Sequence, residues 1–284
     1  MTTASPFPVL RLKPKANARA IRHGAPWVFD NELVLDRRSK NLAPGTIAVL
    51  EDAERKPMGL VAANPLSRIT ARMIERDVTV PIDQAWFAAK IRRALELRER
   101  LFDTPFYRLI HAEADGLPGL VVDRFHDTLV VQPNAAWLEV LLAPLSAALA
   151  EVTGVATILK NASGRTRALE GLDDENAVLL GSAPDAPIMV AMNGAQYAAD
   201  LMGGQKTGLF YDQRPNHAFA ARLSQGADVL DVFSHVGGFA LAALANPTIL
   251  SLSSAMVREI PSMVREPLSR QRAWISGGRA TSRR

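Results

Sequence analysis

Between residues 8 and 78 the chain sets short apolar runs against polar punctuation. VLRLK, IAVLED, MGLVAA and ITARMIE are each a few residues long, β-prone, and separated by Pro, Gly, Asn and Asp. That alternation predicts a small β-rich unit. The period then changes. In WFAAKIRRALELRERLF, Trp86/Phe87, Ile91, Leu95 and Leu101/Phe102 recur at helical spacing. A helix is therefore expected over 86–102, with Asp83 (after Pro81) as its N-cap. GLVVDRF and TLVVQPN follow as two strands joined by a turn at His126-Asp127. Residues 137–150 predict a second helix, which Pro144 should kink or shorten. VATILKN has the composition of a buried strand. Residues 84–190 together suggest an α+β unit of β-hairpins covered by helices.

From residue 195 the texture changes again. QYAADL and the loop GGQKTGLFYDQR lead to a helix expected near 216–224. DVLDVF is nearly continuous in apolar residues, the pattern of a parallel strand buried on both faces. Gly237-Gly238 then opens the apolar helix FALAALA. Strand, glycine turn and helix are the opening of a doubly wound nucleotide-binding fold. A domain of that kind usually takes roughly 100–150 residues, and 195–246 supplies about 50. After Asn246 the sequence is rich in Arg, Ser and Pro without sustained apolar periodicity. The expectation is a frameshift or premature end near Asn246, with 247–284 an aberrant or disordered basic tail. A genuine disordered basic tail is the alternative.

Composition narrows the chemistry. With 284 residues, 48% of them hydrophobic, the chain can bury sizeable cores in two or three domains. It has no cysteine, which excludes disulfides, thiolate metal sites and a Cys nucleophile. It has no run of 18 apolar residues and no signal-like N-terminus, so a cytoplasmic protein without a membrane partner is expected. The high pI of about 9.6 is misleading. Seven Arg against two Glu give residues 247–284 a net charge of +5, and the whole chain carries +4, which leaves −1 for residues 1–246. Global basicity is thus no argument that the folded part binds RNA.

The informative stretch is Val229-Leu230-Asp231-Val232-Phe233-Ser234-His235-Val236-Gly237-Gly238-Phe239. A glycine turn allows close backbone approach, and a helix N-terminus offers free N–H groups to a carboxylate or phosphate. The spacing differs from G-x-G-x-x-G, which ranks a nicotinamide enzyme last. Asp231 at the strand end suits a cationic amino group and would repel a pyrophosphate. S-adenosylmethionine (SAM) has such a group, and a purely structural βα turn is the alternative. Upstream, Gly204-Gln205-Lys206-Thr207-Gly208-Leu209-Phe210-Tyr211-Asp212-Gln213-Arg214 is dense in mixed polar function, as ligand-contacting loops are. Phe210 or Tyr211 could equally be core. Arg11, Lys13, Lys15, Arg19, Arg22 and His23 form a basic stretch with no acid before Asp30. It is either an RNA-phosphate surface or a solvated face. Glu113, Asp115 and Asp123 could form an acid/base or metal set, but Gly116, Pro118 and Gly119 among them favour a turn with capping carboxylates. His23, His111, His126, His217 and His235 show no metal-ligand spacing, so no metal is expected. Trp27, Trp86 and Trp137 have the character of core or partly buried anchors.

With these segments in place, the chain from about Leu10 to Ala245 resembles the class I SAM-dependent rRNA cytosine-C5 methyltransferases that carry an N-terminal PUA domain. GAPWVFDNEL is similar to the family's PUA segment and AEADGLPGLVVDRF to the hallmark of its central domain. GQKTGLFYDQR and LDVFSHVGGF resemble its two SAM-contacting stretches. The resemblance implies a multidomain α+β and α/β fold. Its parts would be a PUA-like β-barrel over 1–80, a central α+β domain over 81–190, and an incomplete Rossmann-like methyltransferase domain over 191–246. It implies SAM as methyl donor and large-subunit rRNA as partner, and leaves a homodimer open. By position, Lys206, Thr207, Phe210, Asp212 and Arg214 would border the cofactor, and Asp231, Phe233, Gly237 and Gly238 would hold its methionine end. Arg11, Lys13, Lys15, Arg19 and Arg22 would contact RNA. C5 methylation normally needs a thiolate attacking C6 of the pyrimidine. The family's catalytic cysteines, its D-P-P loop and the acid that grips the ribose are missing here. The expectation is a chain without turnover, and the alternative function is a non-catalytic RNA-binding module.

Overall fold

The computed structural model describes residues 7–202, 209–232, 234 and 236–245, together with the backbone of 251–255. Contacts divide the chain into two compact units, Met1–Ala183 and Pro184–Arg284. The first unit opens with β1 (Val9–Arg11), α1 (Ala18–Arg22), β2 (Trp27–Val28), α2 (Arg37–Lys40), β3 (Thr46–Glu51), β4 (Pro57–Ala63) and β5 (Ala71–Glu75). The strands form one sheet in the order β1-β3-β4-β5-β2. β1 runs parallel to β3 and the other pairs are antiparallel.

The central strands β3 and β4 are buried on both faces, which explains why IAVLED and MGLVAA are apolar at successive positions. Ala48, Leu50, Val61 and Ala63 point into one core with Leu10, Leu12 and Val28. Their neighbours Val49, Leu60 and Ala62 point the other way, into a core shared with the next elements. Side chains that alternate along a strand divide the two faces between them.

Those next elements are α3 (Gln84–Leu101), β6 (Phe106–His111), β7 (Leu120–Phe125), β8 (Thr128–Pro133), α4 (Ala136–Val140), α5 (Leu142–Thr153), β9 (Thr157–Lys160), α6 (Arg165–Leu169) and β10 (Ala177–Leu180). Asp83 caps α3 as expected, its carboxylate accepting from Trp86 N at 2.9 Å. The second sheet runs β10-β9-β8-β7-β6. Its only parallel pair is β8 with β9, and α4 and α5 make that crossover. The expected helix over 137–150 is interrupted at Leu141 (φ −105°, ψ 24°), not at Pro144. Pro144 lies in the first turn of α5, where its missing N–H leaves no bond unmade.

Trp86, Phe87 and Trp137 form an aromatic cluster, with Phe87 and Trp137 stacked at 5.8 Å. Trp27 departs from the expected anchor role. It is 41% exposed, because period two on β2 turns the buried Val28 inward and the indole out. Among the described residues no helix is long and apolar enough to cross a membrane.

The second unit holds β11 (Ile188–Met192), β12 (Ala195–Ala199), α7 (Arg214–Leu223), β13 (Asp228–Val232), α8 (Gly238–Leu244) and β14 (Ser251–Ala255). β11 and β12 form an antiparallel hairpin, and β13 pairs in parallel with β14. Two expectations are corrected here. β13 is not buried on both faces: Leu230 is 68% and Val232 49% exposed, while Asp231 is the buried residue. Asp231 faces inward because it bonds the first turn of α8, and period two then sends its apolar neighbours outward. Residues 251–255, expected within an unpacked tail, instead form a strand in register with β13 from Asp228↔Ser251 to Val232↔Ala255. SLSSA is too short and polar to read as a strand alone and needs its neighbour's ladder to become one.

Candidate functional site

Among the described residues of the two stretches singled out by sequence, Asp212, Arg214, Asp231, Gly237 and Gly238 are linked around the turn between β13 and α8. Gly237 has φ +76°, in the left-handed region that favours glycine, and serves as N-cap of α8. The carboxylate of Asp231, at the end of β13, accepts from Ala240 N at 3.1 Å. The bare Cα of Gly238 is explained by the protein itself. A Cβ there would lie 2.3 Å from Cε1 and 2.5 Å from Nε2 of His217, a residue of α7. His217 is buried, and its ring meets Phe239 edge-on at 4.5 Å.

His217 joins the two stretches. Burial pushes its imidazole below the usual value, and the carboxylates of Asp231 and Asp212 pull the other way. Asp212, from the turn Tyr211–Gln213, and Asp231 therefore act on one ring. A second link runs through Tyr197 of β12. Its hydroxyl donates to Gly238 O at 3.3 Å, and burial raises its pKa to about 12 against the opposing charge of Arg214. Arg214 O in turn accepts from Asn193 Nδ2 at 2.9 Å.

Of the nine residues expected at the cofactor, Asp212, Arg214, Asp231, Gly237 and Gly238 are gathered in this way, and Phe210 is half-buried just before the Tyr211–Gln213 turn. Lys206, Thr207 and Phe233 lie outside the described residues. Sequence reasoning missed His217 and Tyr197 as parts of the site. His217 carried one usable signal, its place one turn into the helix that follows the polar loop. Tyr197 carried none.

The turn has polar capacity left over. Ser234 Oγ and His217 Nδ1 are both buried without a hydrogen-bond partner among the described residues. Ser234 Oγ lies 3.9 Å from where a Cβ of Gly237 would be. Buried polar atoms left unpaired cost about 1–3 kcal/mol each, so such a pair favours a ligand that satisfies them. Beside them Asp231 adds a negative charge. A ligand with a cationic amino group and further polar atoms, as SAM is, fits this donor and acceptor set.

The other candidates resolve differently. In the basic stretch, Arg11 pairs with Glu51 at 3.1 Å and Arg22 pairs with Asp52. Lys13 Nζ donates to Asn31 O at 2.9 Å, while Lys15 and Arg19 are exposed. The three acids near the central turn serve the fold. Asp115 accepts from Arg98 and from His111 N, both at 2.6 Å, Asp123 pairs with Arg108 at 2.9 Å, and Glu113 accepts from the Trp27 indole at 2.8 Å. Among the described residues no group of three His, Asp or Glu could hold a metal.

Comparison with solved structures identifies the class of fold. A Streptococcus mutans protein described as a SAM-dependent methyltransferase superposes with a TM-score of 0.74 at 17% identity, covering 89% of this chain and 64% of its own. A second structure, a methyltransferase in complex with SAH, matches equally well. The family described as "PUA-like domain" matches residues 10–76. The fold is thus a multidomain α+β and α/β one, with a PUA-like domain at residues 10–76 and a Rossmann-like part. At the level of sequence, the chain is similar to large-subunit ribosomal RNA methyltransferases. It is 35% identical over 252 residues to one from Deinococcus radiodurans, covering 84% of this chain and 61% of that protein. It is 36% identical over 241 residues to methyltransferase I of Shewanella denitrificans, covering 82% and 59%. It spans about three fifths of the length of these relatives.

Proposed function

We propose that this chain is built on the plan of a SAM-dependent methyltransferase of large-subunit ribosomal RNA, of the cytosine-C5 type, and binds cofactor and RNA without completing the transfer. The observation that carries the reading is the β13–α8 turn. There a buried carboxylate, a left-handed glycine and two polar atoms without a hydrogen-bond partner among the described residues meet, in a chain 33–36% identical to proteins named as large-subunit ribosomal RNA methyltransferases. In this reading residues 1–80 and 81–190 carry the RNA, residues 191–246 hold the cofactor, and 247–284 lie beyond the cofactor turn.

When bound, SAM supplies an electrophilic methyl group on a sulfonium. Asp231 would attract its amino group, with Gly237, Gly238 and Phe233 beside the methionine end and Lys206, Thr207, Phe210, Asp212 and Arg214 along the rest. Lys13, Lys15 and Arg19 would meet RNA phosphates, whereas Arg11 and Arg22 already neutralise Glu51 and Asp52. No thiolate is available among the 284 residues to attack C6 of the base. Binding without turnover is therefore expected.

Calorimetric titration of the full chain with SAM and with SAH tests this. Asp231→Asn should weaken SAM about 10- to 150-fold through loss of a charge-assisted bond. No binding by the unsubstituted chain, or equal binding by the variant, would overturn the site. Transfer of a labelled methyl group to C5 of an rRNA cytosine would overturn the absence of turnover.

A further inference from the structure

The β11–β12 hairpin reaches both helices that carry the cofactor stretches. Its turn is the pair Asn193-Gly194, with φ +52° and +76°, between the partnered residues Met192 and Ala195. A two-residue turn of this kind requires positive φ at both central positions, and Asn followed by Gly meets that demand. From the turn, Asn193 Nδ2 donates to Arg214 O at 2.9 Å. Further along β12, the Tyr197 hydroxyl donates to Gly238 O at 3.3 Å. Arg214 is the first residue of α7 and Gly238 the first of α8. One side chain of the hairpin is therefore bonded to the start of each helix. The hairpin also meets the far end of α8, since a Cβ on Gly194 would lie 3.3 Å from Cβ of Ala245. The lengths agree: the three steps from Gly194 to Tyr197 cover roughly 10 Å of strand. The seven steps from Gly238 to Ala245 cover about the same length of helix.

We infer that Asn193 and Tyr197 are positioning residues for the cofactor, holding the Tyr211–Gln213 turn and the glycine turn in register through the backbone of Arg214 and Gly238. The two stretches are separated in sequence by the whole of α7 and β13, so their alignment needs an element that touches both. A binding constellation works when its parts are held within about 0.5 Å of the productive geometry. Both acceptors are main-chain oxygens, so each bond sets where a helix starts and, with it, the residues just before. Tyr197 is fully buried, and burial raises its pKa to about 12 against the opposing charge of Arg214. Its hydroxyl therefore keeps its proton, and remains a donor, throughout the neutral range. This inference rests on the cofactor reading above, to which it adds two residues that lie outside both cofactor stretches.

The test is calorimetric titration of the full chain with SAM, on variants that preserve the hairpin. Asn193→Gly removes the amide but suits the positive φ, and Tyr197→Phe keeps the ring and removes only the hydroxyl. Each should weaken SAM about 2- to 12-fold, the usual effect of losing one hydrogen bond. Gln196→Ala, exposed on the same hairpin, should bind as the unsubstituted chain does. If Asn193→Gly melts early, Asn193→Asp keeps the turn, loses the donor and should weaken SAM at least as much. A double-mutant cycle separates positioning from general loosening. In the background of Asp231→Asn, Tyr197→Phe should weaken SAM less than about 2-fold, because the carboxylate whose placement depends on the turn is gone. Losses that multiply in full, or variants that bind SAM as tightly as the unsubstituted chain, overturn the positioning role and leave the cofactor site standing. If the unsubstituted chain binds neither SAM nor SAH, the cofactor reading fails and this inference with it.

Discussion

At the scale of single residues the decisive pair is Gly238 and His217. Their contact predicts a measurable coupling. Gly238→Ala forces a Cβ into the imidazole and should cost about 1–3 kcal/mol as an overpacked site. In the background of His217→Ala the same substitution should cost much less, giving an interaction free energy of about 0.5–3 kcal/mol in a double-mutant cycle. Chemical denaturation of the four proteins measures it, and additive losses would show that the ring is not what keeps Gly238 bare. The glycines themselves were legible in the sequence as a turn. What filled the space opposite them was not, since His217 reaches the turn only when α7 packs beside α8. Asp231 was legible as a strand-end carboxylate, while its bond to Ala240 N required the helix to be placed.

Secondary-structure elements carried strong local signals wherever their period was long. α3 repeats its apolar positions over 18 residues and starts behind an aspartate, so both its extent and its cap could be predicted. Asp83→Ala should lower stability by about 1 kcal/mol, the usual cost of a lost N-cap. A thermal melt compared with Asp83→Asn, which keeps an accepting oxygen, separates the cap from the charge. Short elements were less legible. The break at Leu141 was masked by a proline that breaks helices inside but is tolerated in a first turn. The strand Ser251–Ala255 has five residues, three of them serine, and no pattern that distinguishes it from a loop until β13 supplies its ladder.

In the first unit as a whole, a buried ion pair ties the two sheets' surroundings together. Glu170 is buried and accepts from Arg72 at 2.6 Å and from Asn64 Nδ2 at 2.9 Å, bridging the PUA-like sheet to the segment after α6. Glu170→Ala strands a buried guanidinium and should cost about 3–5 kcal/mol. Glu151→Ala, which removes the exposed pair with Arg92 at 3.8 Å, should cost under about 1 kcal/mol. Equal losses in denaturant titrations would show that Glu170 adds no tie between the domains. The sequence by itself determined the order of the longer elements, the glycine turn, the basic stretch and the absence of any thiol, because each depends on local period or on residue identity. Only tertiary structure decided that β3 and β4 are buried on both faces and that Arg11 and Arg22 are spent on carboxylates. It alone turned Trp27 outward and brought His217 onto Gly238. Those outcomes depend on which distant side chain fills a given space, and a one-dimensional pattern carries the demand for a partner but not the partner's identity.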